Sequence, residues 1–178
     1  YYRLNSLSHN VPLINGKGQD ANGKATVERV DSKPSGAFAI VDLSSAYIDD
    51  ANSVTRGAAL MADRRAVLIQ DEYVLKAGAE VTWAMTTDAE IDIESPRHAV
   101  LVQNGKTLHV DILAPDDAAF AVESAERPEP EHGNQGVRRL LAQVPAGPTS
   151  VTIAVCLRPD WPEGGPVVLP AVIPLEEW

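Results

Sequence analysis

Hydrophobic and polar residues alternate along most of the chain, and helical periodicity is almost absent. Short alternating runs recur roughly every 8–12 residues between turns that contain Gly, Pro or Asn, a pattern typical of antiparallel sandwiches. The sequence therefore predicts an all-β fold, an antiparallel β-sandwich or stacked sheets, over residues 1–178 as a single region. The predicted strands are residues 10–14, 24–31, 37–43, 54–62, 65–75, 80–86, 89–94, 98–103, 106–113, 137–144 and 149–157.

The sharpest local prediction is a hairpin at Asn104-Gly105. Asn-Gly favours a two-residue type I′ turn, whose twist matches that of the flanking strands. With this turn, His98 lies opposite Asp111 across the hairpin. Because side chains alternate between the two faces of a sheet, the face expected toward the core carries Ala99, Leu101, Leu108, Val110 and Ile112. The other face carries His98, Val100, Val102, Thr107, His109 and Asp111.

Two Pro-rich segments are predicted to lie outside the strands. Residues 126–136 contain Glu and Pro and are expected to form an exposed loop. Residues 158–178 carry five prolines, so we expect an extended tail that lies over a sheet without forming a central strand. A helix over residues 58–64 is the alternative to a strand there, and the preceding Arg56-Gly57 weakens it.

Charge and cysteine content exclude several classes of function. The 178 residues carry 15 Lys and Arg against 25 Asp and Glu, a net charge of −10. This balance argues against nucleic acid and anionic membranes as partners, since both require basic surfaces. No apolar run approaches the ~20 residues of a membrane span. The single cysteine, Cys156, excludes an intrachain disulfide and a multi-thiolate metal site, and its apolar sequence surroundings predict a buried side chain.

The hairpin register brings together one cluster of titratable side chains, His98, His109 and Asp111. Two imidazoles and a carboxylate could bind a divalent transition metal, and a His–Asp pair could transfer protons. The simpler interpretation is a solvated sheet face on which His98 and Asp111 form a cross-strand pair. We favour this interpretation because no further ligand is predictable nearby.

Other catalytic patterns are missing from the sequence. It contains no Gly-x-Ser-x-Gly elbow, no Gly-rich phosphate loop and no His-Glu-x-x-His. Adjacent acids such as Asp116-Asp117 are expected to be solvated loop charges. Among the tryptophans, Trp83 lies within a predicted strand and is expected in the core. Trp161 lies between prolines and is the best candidate for an exposed ring that stacks on a sugar.

The first 19 residues differ from the rest of the chain. Arg3, His9, Asn10 and Gln19 flank a short apolar strand that an Asn15-Gly16 turn follows. Core packing does not require a His-Asn pair in front of such a strand. From the residues alone, His9 is open to three interpretations: a metal ligand, a proton shuttle or a capped loop residue.

This segment resembles the heparinase II/III family of polysaccharide lyases, including its oligoalginate-lyase-like relatives. The family pattern is Arg, then Ser/Asn-Ser/Thr, His-Asn, an apolar strand, Asp/Asn-Gly and Gln. It is matched here by Arg3, Asn5-Ser6, His9-Asn10, residues 11–14, Asn15-Gly16 and Gln19. Residues 65–72, 81–87 and 99–115 also resemble family strands, so the resemblance covers most of residues 1–115.

The resemblance implies that the chain is the C-terminal β-sheet part of a larger enzyme that cleaves uronate-containing glycans by β-elimination. The catalytic Asn and Tyr would lie on an upstream α/α toroid and a catalytic His also upstream, so no catalytic residue is expected in this chain. His9 matches the last ligand of a structural zinc site whose other ligands lie upstream. Zinc is therefore expected in the full-length enzyme and is not expected to bind tightly to this chain alone.

The candidate substrate-binding residues are Arg3, Asn10, Gln19 and Trp161. The expected partners are an acidic polysaccharide, bound through the full-length enzyme, and the upstream toroid. The expected location is periplasmic or secreted, with the signal upstream of a chain that begins at Tyr1 without an initiator Met. Two alternatives stay open: a non-catalytic carbohydrate- or protein-binding β-sandwich, and a structural domain that covers one face of the toroid.

Overall fold

The computed structural model describes residues 1–163 and 165–178. Its strands form two antiparallel sheets. The strands are β1 (Leu13–Ile14), β2 (Thr26–Lys33), β3 (Gly36–Asp42), β4 (Ala51–Met61), β5 (Ala66–Leu75), β6 (Val81–Thr87), β7 (Glu90–Ser95), β8 (His98–Gln103), β9 (Lys106–Ala114), β10 (Ala119–Ser124), β11 (Arg138–Val144) and β12 (Ser150–Pro159). Single-turn 3₁₀ helices occupy Tyr2–Leu4, Ser6–Ser8, Ser44–Ala46 and Leu175–Glu177. The predicted all-β sandwich is confirmed. Within the described residues, no helix has the length and apolar character needed to cross a membrane.

The two sheets pack around one main hydrophobic core. The small sheet has the strand order β1-β6-β11-β10, and the large sheet has the order β2-β3-β4-β5-β12-β9-β8-β7. Inward side chains from both sheets are removed from water, which is the main force that stabilises the sandwich. Trp83 of β6 is 3% exposed and belongs to this core, as predicted. Other deeply buried members include Tyr73, Val81, Val110, Leu140, Ile153 and Val155.

The β8–β9 hairpin has the predicted turn and register. Asn104 and Gly105 have φ values of 50° and 70°, the left-handed pair that a type I′ turn requires. His98 lies opposite Asp111, as the two-residue loop predicts. The predicted core face is also confirmed, since its members are buried or pack against the core: Ala99, Leu101, Leu108, Val110 and Ile112.

The outer face of the large sheet is covered by the end of the chain. We call residues 160–163 and 165–178 the C-terminal strap; Gly164, inside the predicted tail, lies outside the described residues. Val167 of the strap forms a second apolar cluster with Leu68 and the buried Cys156. The extended, sheet-covering tail is therefore present, although its first two predicted residues belong to β12.

Side chains of the sheet bind the backbone of the strap. Gln70 Nε2 donates to the carbonyl of Ile173 at 2.8 Å, and Glu72 Oε1 accepts from the backbone N–H of Leu175 at 2.8 Å. The Leu175 side chain is buried at a point where β4 has a glycine. A Cβ on Gly57 would lie 2.3 Å from Leu175 Cδ2 and 2.8 Å from the Trp178 ring. The strap is thus seated in the outer face without forming a strand of the sheet.

The structure corrects some of the predicted strands and decides against the alternative helix. Strand β10 was not predicted, because only Phe120 of its residues is buried and the strand runs into the Pro-rich loop. Residues 10–12 are not part of a strand, since Pro12 has no N–H to donate to a ladder. The alternative helix over residues 58–64 is absent. There β4 continues to Met61, and residues 62–64 turn with positive φ values.

Candidate functional site

The N-terminal segment, residues 1–12, contains no strand and is held in place by side-chain hydrogen bonds. Asn5 Oδ1 accepts from the backbone N–H of Leu7 at 2.9 Å and so caps the second 3₁₀ turn. Alongside β6, Asn10 Oδ1 accepts from the backbone N–H of Thr86 at 2.8 Å. Thr86 Oγ1 in turn donates to the carbonyl of Ser8 at 3.1 Å. These bonds fix the His9–Asn10 dipeptide against the small sheet.

A buried ion pair links the same dipeptide to the large sheet. Arg56 of β4 and Asp71 of β5 lie opposite each other, with Nε–Oδ1 and Nη2–Oδ2 distances of 2.6 and 2.7 Å. The Asp71 side chain is 0% exposed. Arg56 Nη1 donates to the carbonyl of Asn10 at 2.6 Å. Such two-bond Arg–carboxylate pairs are strong and geometrically specific, so the guanidinium fixes the segment relative to the large sheet.

Two tyrosines complete this buried polar network. Tyr73 Oη donates to Asp71 Oδ2 at 3.2 Å, and Tyr47 Oη donates to the carbonyl of Pro12 at 2.8 Å. Burial raises the pKa of both hydroxyls, and the charge of Asp71 raises it further. Burial alone would lower the pKa of Arg56, but the attraction of Asp71 outweighs it and raises the pKa above its usual value. Arg56 therefore stays charged and both tyrosines stay neutral at ordinary pH.

His9 and Gln19 line one groove of about 700 Å³, together with Asn5, Asp20 and Tyr1. The His9 side chain is exposed, and the backbone N–H of Gln19 donates to a serine hydroxyl of the N-terminal segment. Hydrogen-bonding side chains and one aromatic ring are the surroundings that a hydroxyl-rich ligand requires. Two of the sequence-predicted site residues therefore lie at one surface.

Arg3 and Asn10 are engaged in other contacts. Arg3 Nε donates to Asn134 Oδ1 at 2.7 Å, and Arg3 Nη2 donates to His132 Nδ1 at 2.8 Å. Asn134 is itself buried, although most of residues 126–136 are exposed. Arg3 thus ties the N-terminal segment to this loop, while the Asn10 side chain binds β6.

The residues that the structure describes do not form a complete zinc site. His9 offers one exposed imidazole, whereas a structural zinc site requires four ligands. Within residues 1–163 and 165–178, no group of three or more His, Cys, Asp or Glu side chains could hold a metal ion. The residues present therefore fit at most a contribution of His9 to a site that other residues complete.

The side chains of His98, His109 and Asp111 lie together in the structure, but they do not form a metal site. His98 Nδ1 lies 2.7 Å from Asp111 Oδ1, and Arg158 Nε and Nη2 donate to Asp111 Oδ2 at 2.9 and 2.6 Å. The imidazoles stack with centroids 5.4 Å apart and planes inclined by 17°. Because nitrogen lone pairs lie in the ring plane, stacked rings do not converge on one ion. The geometry supports the cross-strand pair, extended by Arg158.

Trp161 lies away from the other candidates. It is 46% exposed and belongs to the strap, on the outer face of the large sheet. Arg56 and Asp71, which hold the N-terminal segment, project from the inner face of the same sheet. Trp161 therefore does not share a site with His9, Asn10 or Gln19.

Sequence reasoning missed the roles of Arg56, Tyr47 and Tyr73, and it noted Asp71 only as part of a family-like strand. A signal was present, since Arg56 and Asp71 are charges at inward positions of two neighbouring predicted strands. Such residues are almost never buried unless they are paired. Pairing them required the β4–β5 register, which the sequence did not supply.

Comparison of the structure with known proteins found matches, whereas comparison of the sequence found none. No family model matches this sequence, and no curated protein matches it. Heparan sulfate lyase HepC from Pedobacter heparinus matches 85% of this chain with a TM-score of 0.71 and 11% identity. A heparinase III gene product matches 85% with a TM-score of 0.69 and 13% identity, and a further heparinase III matches 85% with a TM-score of 0.63 and 10% identity.

The chain spans about a quarter of the length of these structures, with coverages of 24%, 24% and 23%. At such identities the likeness concerns the fold alone. The chain has the fold of the β domain of heparinase III structures.

Proposed function

We propose that this chain is the C-terminal β-sandwich of a heparinase II/III-like polysaccharide lyase and is catalytically incomplete on its own. In the full-length enzyme, uronate-containing glycans would be cleaved by β-elimination, with base and acid supplied by residues outside this chain. The observation that carries the proposal is the match of 85% of the chain to a heparan sulfate lyase at a TM-score of 0.71. The acidic polysaccharide, the toroid partner and a periplasmic or secreted location belong to the same proposal.

The proposed role of the chain is to present the His9–Asn10 dipeptide on a fixed support. Its backbone is held by Arg56, and its Asn side chain is held by Thr86. A residue that must keep its position beside a cleft benefits from such rigid supporting contacts. Gln19, in the same groove as His9, is the proposed glycan contact. Arg3 and Asn10 act in this proposal mainly by fixing the segment.

Zinc is part of the proposal only through His9. The exposed imidazole is a suitable ligand type, and the remaining ligands would come from outside this chain. Metal analysis of the purified chain is expected to find much less than one zinc per molecule. In the full-length protein, His9→Ala is expected to lower the zinc content, and unchanged content would remove His9 from the zinc site.

The activity test compares the 178-residue chain with the longer protein that contains it. Each is incubated with heparan sulfate and with alginate, and the ultraviolet absorbance of newly formed unsaturated uronate ends is followed. The chain alone is expected to give no product, and the longer protein is expected to cleave one of the two polymers. Cleavage by the chain alone, or none by the longer protein, would contradict the proposal.

One observation favours the alternative of a non-catalytic carbohydrate-binding module. Trp161 is half exposed and borders a pocket separate from the His9 groove. If the longer protein binds glycans without cleaving them, this alternative replaces the lyase proposal.

A further inference from the structure

A second pocket lies on the outer face of the large sheet, where β12 passes into the strap. It has a volume of about 290 Å³ and is lined by His109, Arg158, Asp160, Trp161 and residues 165–167. This volume is at the lower end of the range for small-molecule pockets. It has room for one sugar ring and not for a polymer segment.

The aromatic wall of this pocket is held in a fixed orientation. Trp161 Nε1 donates to the carbonyl of Arg65 at 2.7 Å, while 46% of the residue remains exposed. A ring that is fixed before binding loses little conformational entropy when a ligand packs on it. Fixed, half-exposed indoles suit the C–H face of a pyranose, because the ring offers a large apolar surface beside a wet edge.

Polar groups are placed around the indole. Asp160 Oδ1 lies 3.2 Å from His109 Nε2, and the Asp160 side chain is 65% exposed, so its second oxygen is free to accept from a sugar hydroxyl. Arg158 uses Nε and Nη2 on Asp111. Among the described residues no hydrogen bond of Arg158 Nη1 is found, which leaves it as a donor toward the pocket.

The local charge decides which kind of sugar fits. Among the described residues, Arg158 is the one permanent cation in the lining, and Asp111 already neutralises it through both donated bonds. The neighbouring Arg65 lies outside the lining and donates to the carbonyl of Gly165. Asp160 then leaves the pocket with a negative group at its mouth, on a chain whose net charge is −10. A carboxylate or sulfate on the ligand would be repelled, whereas hydroxyl and acetamido groups would not.

We propose that this pocket is a binding subsite for one uncharged pyranose, stacked on Trp161 and hydrogen-bonded by Asp160 and Arg158. It lies on the face of the large sheet opposite the segment that carries His9. It is therefore separate from the surface on which the proposed lyase role depends, and either assignment can fail without the other.

The test uses the 178-residue chain labelled with ¹⁵N and titrated with methyl glucoside, N-acetylglucosamine and glucuronate. The indole N–H signal of Trp161 is expected to shift with either uncharged sugar, while the signals of Trp83 and Trp178 stay in place and report an intact fold. Glucuronate is expected to bind at least about threefold more weakly, because Asp160 repels it. Tighter binding of glucuronate, or no Trp161 shift with any sugar, would overturn the proposal.

Three variants separate stacking from charge. Trp161→Ala is expected to weaken binding of the uncharged sugars about tenfold or more. Asp160→Asn keeps an acceptor oxygen but removes the charge, so the preference for uncharged sugars over glucuronate should shrink. Asp117→Asn removes an exposed charge outside the pocket and should leave that preference unchanged. An Asp160→Asn variant that retains the full preference would contradict the charge argument.

Discussion

Side chains of the large sheet contact both ends of the chain, but they hold the two ends by different means. The N-terminal segment is held at the inner face by a charged side chain, Arg56, whose partner Asp71 is fully buried. The C-terminal strap is held at the outer face by hydrogen bonds of its backbone with the side chains of Gln70, Glu72 and the exposed Arg29. Apolar contacts around Gly57 hold it as well.

The difference has an energetic consequence. Each charge of a buried pair depends on the other, and removing one leaves an uncompensated ion in the interior. Close-packed apolar contacts, such as those around Gly57, are destabilised by added atoms, because the neighbouring side chains have no room to move. The N-terminal attachment should therefore be most sensitive to loss of charge, and the strap should be most sensitive to added atoms.

The largest effect is expected from Asp71→Asn. The substitution keeps the shape of the side chain but leaves Arg56 charged and unpaired, which should lower the free energy of unfolding by about 3–5 kcal/mol. Equilibrium unfolding in urea at neutral pH measures this change.

Two controls test whether the lost charge is the cause. The double variant Arg56→Met/Asp71→Leu removes both charges and should be more stable than Asp71→Asn. Asp116→Asn breaks the ion pair of Asp116 with Arg97, in which the acid is 95% exposed, and should change stability by at most about 1 kcal/mol. If Asp71→Asn behaves like Asp116→Asn, the contrast between the two attachments is wrong.

The next effect is expected at the strap, from Gly57→Ala. The new methyl group would overlap the side chains of Leu175 and Trp178, and overpacking of this kind lowers stability by about 1–3 kcal/mol. Gly133→Ala is the matched control, because a Cβ there meets no atom within 4 Å. Fluorescence of Trp178 should change in the first variant only; an unchanged signal would mean that the strap does not occupy this seat.

The sequence predicted the parts of the fold that depend on local chemistry. The Asn104-Gly105 turn determines its own geometry, so the register of β8 against β9 followed from it. The β4–β5 connection has no such signal, since the residues with positive φ are Ala62, Asp63 and Arg64, none of them glycine. Without that register, the Arg56–Asp71 pair could not be found.

The candidate site was predictable in part for a similar reason. The motif that contains His9, Asn10 and Gln19 is local, and the structure places His9 and Gln19 in one groove. Its supports are not local, because the Arg3–Asn134 contact joins residues 131 positions apart. Only the folded arrangement of the loop and the segment reveals such a contact.

The pH dependence of stability in alkaline solution should distinguish Cys156, which the strap covers, from the two buried tyrosines near the N-terminal segment. Burial raises the pKa of Cys156, on the outer face, from 9.0 to about 11. Between these values the unfolded chain loses the thiol proton and the native chain keeps it, so stability must fall as pH rises from about 9 to about 11. Cys156→Ala should make this fall shallower in urea unfolding across that range. The part that remains belongs to Tyr47 and Tyr73, whose pKa values are also raised by burial; an identical slope in the variant would contradict the assignment to Cys156.

The smallest effect is expected from Arg3→Ala, which separates the two supports of the N-terminal segment. Arg3 contacts the exposed loop through Asn134 and His132, so its loss should lower the free energy of unfolding by about 1 kcal/mol or less. The effect should be local, because Arg56 still holds the carbonyl of Asn10. Hydrogen exchange should become faster in residues 2–8 and stay unchanged at Asn10 and in β6, with Lys106→Ala at the exposed hairpin turn as the control. Faster exchange that also reaches Asn10 would mean that the buried ion pair does not hold the dipeptide by itself, and the segment would then depend on its loop contact as much as on the large sheet.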